Sequence, residues 1–168
     1  ARVARSQRRV RLRVGTRGER DATYPTIQSP EEVMRRAWEI CTAGGYCAYY
    51  YTYTAWDIIH PEHTPPGYAY MRHLRDFFEG TRYWLMEPHD ELVSSGRCLA
   101  LPGEEYVVCK WNSGEFSLKI AGAPSDAKAE WFSPLTGERR PAGPVANGEH
   151  SFSPPKEWEG RPAVLHVR

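Results

Sequence analysis

Five of the chain's ten tyrosines and one of its six tryptophans fall in residues 46–57, Tyr46-Cys-Ala-Tyr-Tyr-Tyr-Thr-Tyr53-Thr-Ala-Trp56-Asp57. Aromatic residues favour the pleated, half-buried surface of a strand. Tyrosine and tryptophan also present flat apolar faces with a polar group at the edge. A strand so dense in them either packs a core or ends in a surface that stacks on sugar rings. The flanking segments favour the sugar-stacking reading.

Just upstream, Ser29-Pro30-Glu31-Glu32 is a helix start. Ser29 caps the free N–H groups, Pro30 fits the first helical position, and Glu32 completes a capping box. Val33, Ala37 and Ile40, with Met34 and Trp38 alongside, form a helical apolar stripe, and Gly44-Gly45 ends the helix. A capped helix, a glycine turn and a strand over 46–54 make an αβ unit, the building block of parallel sheets and barrels.

A proline-rich loop follows, Pro61-Glu-His63-Thr-Pro-Pro-Gly67. Residues 68–79 read as a second helix. Tyr70, Met71, Leu74, Phe77 and Phe78 lie on one face, and Gly80 stops it. An irregular connection containing Trp84 and Pro88 leads to residue 95. Beyond it come short β-rich runs at 97–101, 105–111, 115–120, 127–133 and 162–168, divided by Pro-Gly, Asn-Ser-Gly and Asn-Gly turns. Such runs suggest a small antiparallel sandwich. The expected fold class is therefore α/β plus all-β.

The 168 residues fit one domain or two small ones. Hydrophobic residues at 40% and charged residues at 26% are ordinary for a globular chain. No apolar run approaches the roughly 20 residues that cross a bilayer, and the start carries no apolar signal-peptide core. No membrane partner is expected.

The net charge of +1 hides an asymmetry. Residues 1–20 hold eight arginines and one acid, Glu19, a balance of +7, which leaves −6 for the remainder. An arginine arm binds phosphate or an anionic surface. The acidic body and the lack of a nucleic-acid fold behind it argue against nucleic acid as partner.

Other chemistry is thin. His60 and His63 are three apart on a proline loop without a third ligand, which reads as surface rather than as a metal site. Cys47, His73 and Asp76 form no visible triad. No glycine-rich phosphate loop appears, so neither cofactor nor metal is expected. Four cysteines are too few for a disulfide scaffold. Cys98 and Cys109 flank a hairpin and are either two buried thiols or, with a turn over 102–105, bridged partners. Cys41 and Cys47 receive no role.

The order of these parts resembles the C-terminal end of glycoside-hydrolase-like proteins. These have an apiosidase-like (β/α)8 barrel followed by a β-domain whose family label is collagen-binding. The matching stretches include Arg36-Ala-Trp38, Gly44-Gly-Tyr46, Thr54-Ala-Trp56-Asp57, Pro66-Gly-Tyr68, Leu85-Met-Glu-Pro88, Glu105-Tyr-Val-Val108 and Trp131-Phe-Ser-Pro134-Leu-Thr-Gly137. The closing Phe152-Ser-Pro-Pro155 also fits.

The resemblance divides the chain into a basic segment 1–20, a barrel fragment 21–95 and a β-sandwich accessory domain 96–168. It implies that the helix over 30–43 is the seventh barrel helix, 46–54 the eighth strand and 68–79 the eighth helix. Barrel active sites lie at the C-terminal ends of strands. Tyr51, Tyr53, Thr54, Trp56 and Asp57 then stand at the rim as sugar-binding residues. Trp56 stacks on the sugar or packs beneath the loop; Asp57 bonds a hydroxyl or caps the turn.

Glycoside hydrolysis uses a pair of carboxylates. In the barrels resembled, these end strands four and seven. Strand four is absent, and the place of strand seven, near 8–17, holds Arg-Arg-Val-Arg-Leu-Arg-Val-Gly-Thr-Arg. Burying several unpaired arginines costs several kcal/mol each. We expect residues 1–18 to be out of frame, and no catalytic residue within this chain. The alternative is a non-catalytic module binding carbohydrate or matrix protein. Exposed tryptophans among Trp111, Trp131 and Trp158 would mark that module, whereas strand alternation places Trp131, and Trp111 at a strand end, in a core or interface. The unpaired edges of strand 46–54 predict self-association.

Overall fold

The computed structural model describes residues 29–48, 67–112 and 114–168. The arginine-rich head lies outside the described residues. So do most of the aromatic stretch, with Tyr51, Tyr53, Thr54, Trp56 and Asp57, and the loop carrying His60 and His63.

Helix α1 spans Pro30–Thr42 and opens as its sequence dictates. The Glu32 amide donates to Ser29 Oγ at 3.2 Å. The capping box is only half made, because the Glu32 carboxylate turns to Arg35 and Arg36 instead. The Arg35 hydrogen bond, helped by Arg36 and opposed by desolvation, holds that carboxyl down at about 2. Gly44 adopts φ +75, which glycine alone takes without penalty, and the Gly45 amide donates back to the Ile40 carbonyl at 2.9 Å. Helix α2, Tyr68–Glu79, ends at Gly80 as expected.

Eight strands follow: β1 Glu87–Pro88, β2 Arg97–Leu101, β3 Glu105–Lys110, β4 Phe116–Ile120, β5 Lys128–Phe132, β6 Arg139–Pro144, β7 Gly148–Phe152 and β8 Ala163–Val167. Six of them form one antiparallel sheet in the order β1-β2-β3-β8-β5-β6, and β4 pairs with β7 in a second. The described residues are thus mostly antiparallel β-sheet with two helices. β1, β6 and β7 lie outside the runs singled out in the sequence.

The large sheet is covered on both faces. Cys98, Ala100, Tyr106, Val108, Trp131 and Leu165 point to the small sheet, where Phe116, Leu118, Ile120 and Phe152 close the core. Leu99, Val107, Cys109, Phe132 and Val164 point the other way, against Met34, Ala37, Trp38, Leu74 and Phe77 of the helices. The layers are therefore two helices, six strands and two strands. Burial on both faces explains why β3 and β8 read as continuous apolar runs rather than alternations. Met86 and Leu99, on either side of residue 95, share the helix-side core.

The register settles the cysteine hairpin. Leu101 pairs with Glu105, so the turn is Pro102-Gly103-Glu104, and Cys98 stands opposite Val108 rather than Cys109. Side chains one step apart on a strand face opposite ways. Cys98 lies in the core against the small sheet and Cys109 in the helix-side core, and both thiols are free. The bridged alternative is excluded by this one-residue offset. Burial raises both thiols, Cys98 to about 12.

Candidate functional site

Past the end of α1, the described residues expose aromatic side chains at two joined turns. Tyr46 is 74% exposed and Trp84 67%, with Leu85 half exposed beside it. The patch is built by two turns. Gly44-Gly45 swings Tyr46 out over the end of α1, and the 3-10 turn Tyr83–Leu85 follows α2. They are tied together: the Tyr83 hydroxyl donates to the Gly45 carbonyl, and the Tyr46 and Tyr83 rings meet edge to face at 5.2 Å. Tyr83 packs in turn on Phe78. Large apolar side chains grouped on a surface mark an interaction site or a face covered by more protein.

The Gly44-Gly45 turn also brings Cys47 to Cys41, with Sγ atoms 3.7 Å apart. Sequence reasoning gave neither a role. The signal available was their spacing across Gly44-Gly45.

Beneath the far end of α2 lies a cleft of about 280 Å³ lined by Glu79, Thr81, Arg82, Glu105 and Arg168. Its floor is a buried polar group. His166 Nε2 lies 2.7 Å from Glu105 Oε1, and the Arg82 amide donates to Glu105 Oε2 at 3.0 Å. The Arg82 guanidinium spans Glu104 and Glu105. Burial pushes the Glu105 carboxyl up, but His166 and Arg82 outweigh it and hold it below the usual range. Both carboxylate oxygens are committed, and His166 is packed on Phe77. The group joins the helix layer to the sheet rather than offering a free acid.

The expected sugar-binding residues Tyr51, Tyr53, Thr54, Trp56 and Asp57 lie outside the described residues. Tyr46–Ala48, the described start of the predicted strand, pairs with no other described strand. The tryptophans of the β-domain can be placed. Trp131 and Trp158 are buried against the small sheet, and Trp111 packs against the helix-side core. None forms an exposed platform. His73 Nδ1 lies 3.1 Å from the Pro134 carbonyl, Asp76 pairs with Arg72 and Arg75, and Cys47 faces Cys41, so the three are not assembled into a triad. No group of three metal-ligating side chains occurs among the described residues, nor a helix long and apolar enough to cross a membrane.

Comparison with known proteins fits this architecture. Residues 89–167 match the family model described as "Putative collagen-binding domain of a collagenase". A solved structure titled glycoside hydrolase superposes with a TM-score of 0.68 at 17% identity, over 84% of this chain and 37% of its own. A glycoside hydrolase family 5 protein from Bacteroides vulgatus ATCC 8482 superposes with the same TM-score at 16% identity, over 84% and 36%. No curated protein matches the chain. The chain therefore shares its fold with part of each of these two solved structures, and most of its β-layers fall within the matched domain model. The chain spans a little over a third of the length of these solved structures.

Proposed function

We propose that this chain is the C-terminal part of a glycoside hydrolase-like protein acting on plant or microbial polysaccharide. In this reading α1 and α2 are the last two helices of a (β/α)8 barrel, and the β-layers are an accessory domain that seals the barrel's side. Tyr51, Tyr53, Thr54, Trp56 and Asp57 line the sugar site at the end of the barrel's last strand, with Trp56 as stacking platform. The paired carboxylates that hydrolysis needs come from upstream barrel strands, and the chain alone is inactive.

One observation carries the reading: the helices are built onto the sheet through a common core around Trp38. The superposition on glycoside hydrolases covers 84% of the chain, more than the β-layers alone can supply. The burial of Trp131 and Trp158 supports a scaffold role for the β-layers.

The exposed Tyr46–Trp84 patch favours a second reading, a non-catalytic binding module for carbohydrate or matrix protein. Affinity electrophoresis through gels containing plant or microbial polysaccharide, with collagen in a parallel gel, separates the two. The barrel reading expects no retardation of the 168-residue chain and no difference for Trp84→Ala. Retardation abolished by Trp84→Ala would replace it with the binding-module reading.

A further inference from the structure

The Cys41–Cys47 pair has the geometry of a dithiol rather than of two unrelated core residues. Its sulfurs are 3.7 Å apart, whereas Cys98 and Cys109 lie on opposite faces of the sheet. A disulfide requires about 2.05 Å between sulfurs, so closure asks for a movement of roughly 1.7 Å. The connection can supply it. It contains Gly44 and Gly45, and glycine reorients its backbone at little steric cost. Cys41 is buried in the last turn of α1, while Cys47 is partly exposed and reachable from solvent. Attack on an external disulfide needs one accessible sulfur with thiolate character, and a second within reach to resolve the adduct.

We propose that Cys41 and Cys47 are a reversible redox site that closes to an intramolecular disulfide. In the first step the Cys47 thiolate attacks one sulfur of a low-molecular-weight disulfide such as oxidised glutathione. The S–S bond of the oxidant breaks, a mixed disulfide forms on Cys47, and one glutathione leaves as thiolate and takes up a proton. In the second step Cys41 gives its proton to solvent base, and its sulfur attacks Cys47 Sγ. The protein disulfide forms and the second glutathione leaves. The two cysteines together lose two electrons and two protons, and one oxidised glutathione becomes two thiols.

The electrostatics assign the order. The hydrogen bond from Cys41 lowers the Cys47 thiol against the opposing effect of burial. The same bond, with desolvation, raises Cys41. Cys47 is therefore the attacking sulfur and Cys41 the resolving one. Tyr46 lies within the loop that the bond closes, so oxidation clamps the exposed edge of the aromatic patch against Tyr83.

The test is a redox titration of the intact chain in glutathione buffers of increasing oxidised fraction. Acid quenching, alkylation of free thiols under denaturing conditions and mass spectrometry of the tryptic peptide spanning 37–72 give the readout. The expected result is an unalkylated peptide lighter by two hydrogens, with Cys98 and Cys109 still fully alkylated. Cys41→Ser should accumulate a glutathione adduct on Cys47 that the parent chain does not retain, and Cys47→Ser should leave Cys41 unmodified. Full alkylation of both residues across the titration would overturn the assignment. So would a parent chain that keeps the adduct as Cys41→Ser does, or oxidation of all four cysteines together.

Discussion

Glu105 shows how a single residue binds the layers together. It opens β3, yet its carboxylate is spent on β8 through His166 and on the segment after α2 through Arg82. The sequence signal was slight: an acid in a short apolar run, and a histidine in Ala163–Val167 where a core residue was due. A partner sixty-one residues away cannot be read from either. A carboxyl held low in the folded chain stabilises it above the unfolded value of about 4.3, and that contribution is lost as pH falls through the folded value. Glu105→Gln should therefore flatten the acid limb of stability. Urea midpoints from about pH 5 to about pH 3 should fall less for the variant than for the parent chain. At neutral pH the variant should lose about 1–3 kcal/mol, since His166 and Arg82 lose their charged acceptor. Parallel acid limbs would show that Glu105 is not the linked group.

The helices were legible almost to the residue, because their ends are written locally in Ser29-Pro30, Gly44-Gly45 and Gly80. The strands with β-branched or aromatic runs were equally plain. β6 escaped because Arg139–Pro144 holds two prolines and a glycine. As an edge strand, with only β5 beside it, it can spare the missing donors. β7, Gly148–Phe152, escaped because its outward residues are polar and only Phe152 is buried. The cysteine register turned on a single residue of turn length, which composition does not encode.

What no local pattern could show is that α1 docks on the large sheet. Trp38 is the joint: it is fully buried, with Phe77, Phe78 and Phe132 at 5.2, 5.3 and 5.9 Å. Trp38→Ala should cost about 3–5 kcal/mol in denaturant unfolding. Its Nε1 has no hydrogen-bond partner among the described residues. Trp38→Phe thus gives up volume but no hydrogen bond, and should cost less than about 2 kcal/mol. A loss for Trp38→Ala of under about 1 kcal/mol would mean that the helix layer contributes little to the common core.

At the scale of the whole molecule, the described residues leave an aromatic edge exposed around Tyr46 and Trp84, with Tyr68 also exposed at the start of α2. In the barrel reading the remainder of the barrel would lie beyond it. The chain alone is then expected to self-associate through this patch and the adjoining aromatic segment. Light scattering should give a mass above the monomer that falls for the double variant Tyr46→Ser, Trp84→Ser. A monomeric parent chain at high concentration would remove this expectation.

The sandwich could be anticipated from its turns and strand spacing. The barrel reading rests instead on resemblance, on the shared helix–sheet core and on superposition with glycoside hydrolases. The most direct test is the coding sequence upstream of codon 1 and through codon 20, read in all three frames. The account predicts a frame encoding six or seven βα units, with acids ending strands four and seven and a hydrophobic strand replacing residues 8–17. An initiation codon at this point, with no such frame before it, would contradict the account and leave a small binding protein with a basic arm.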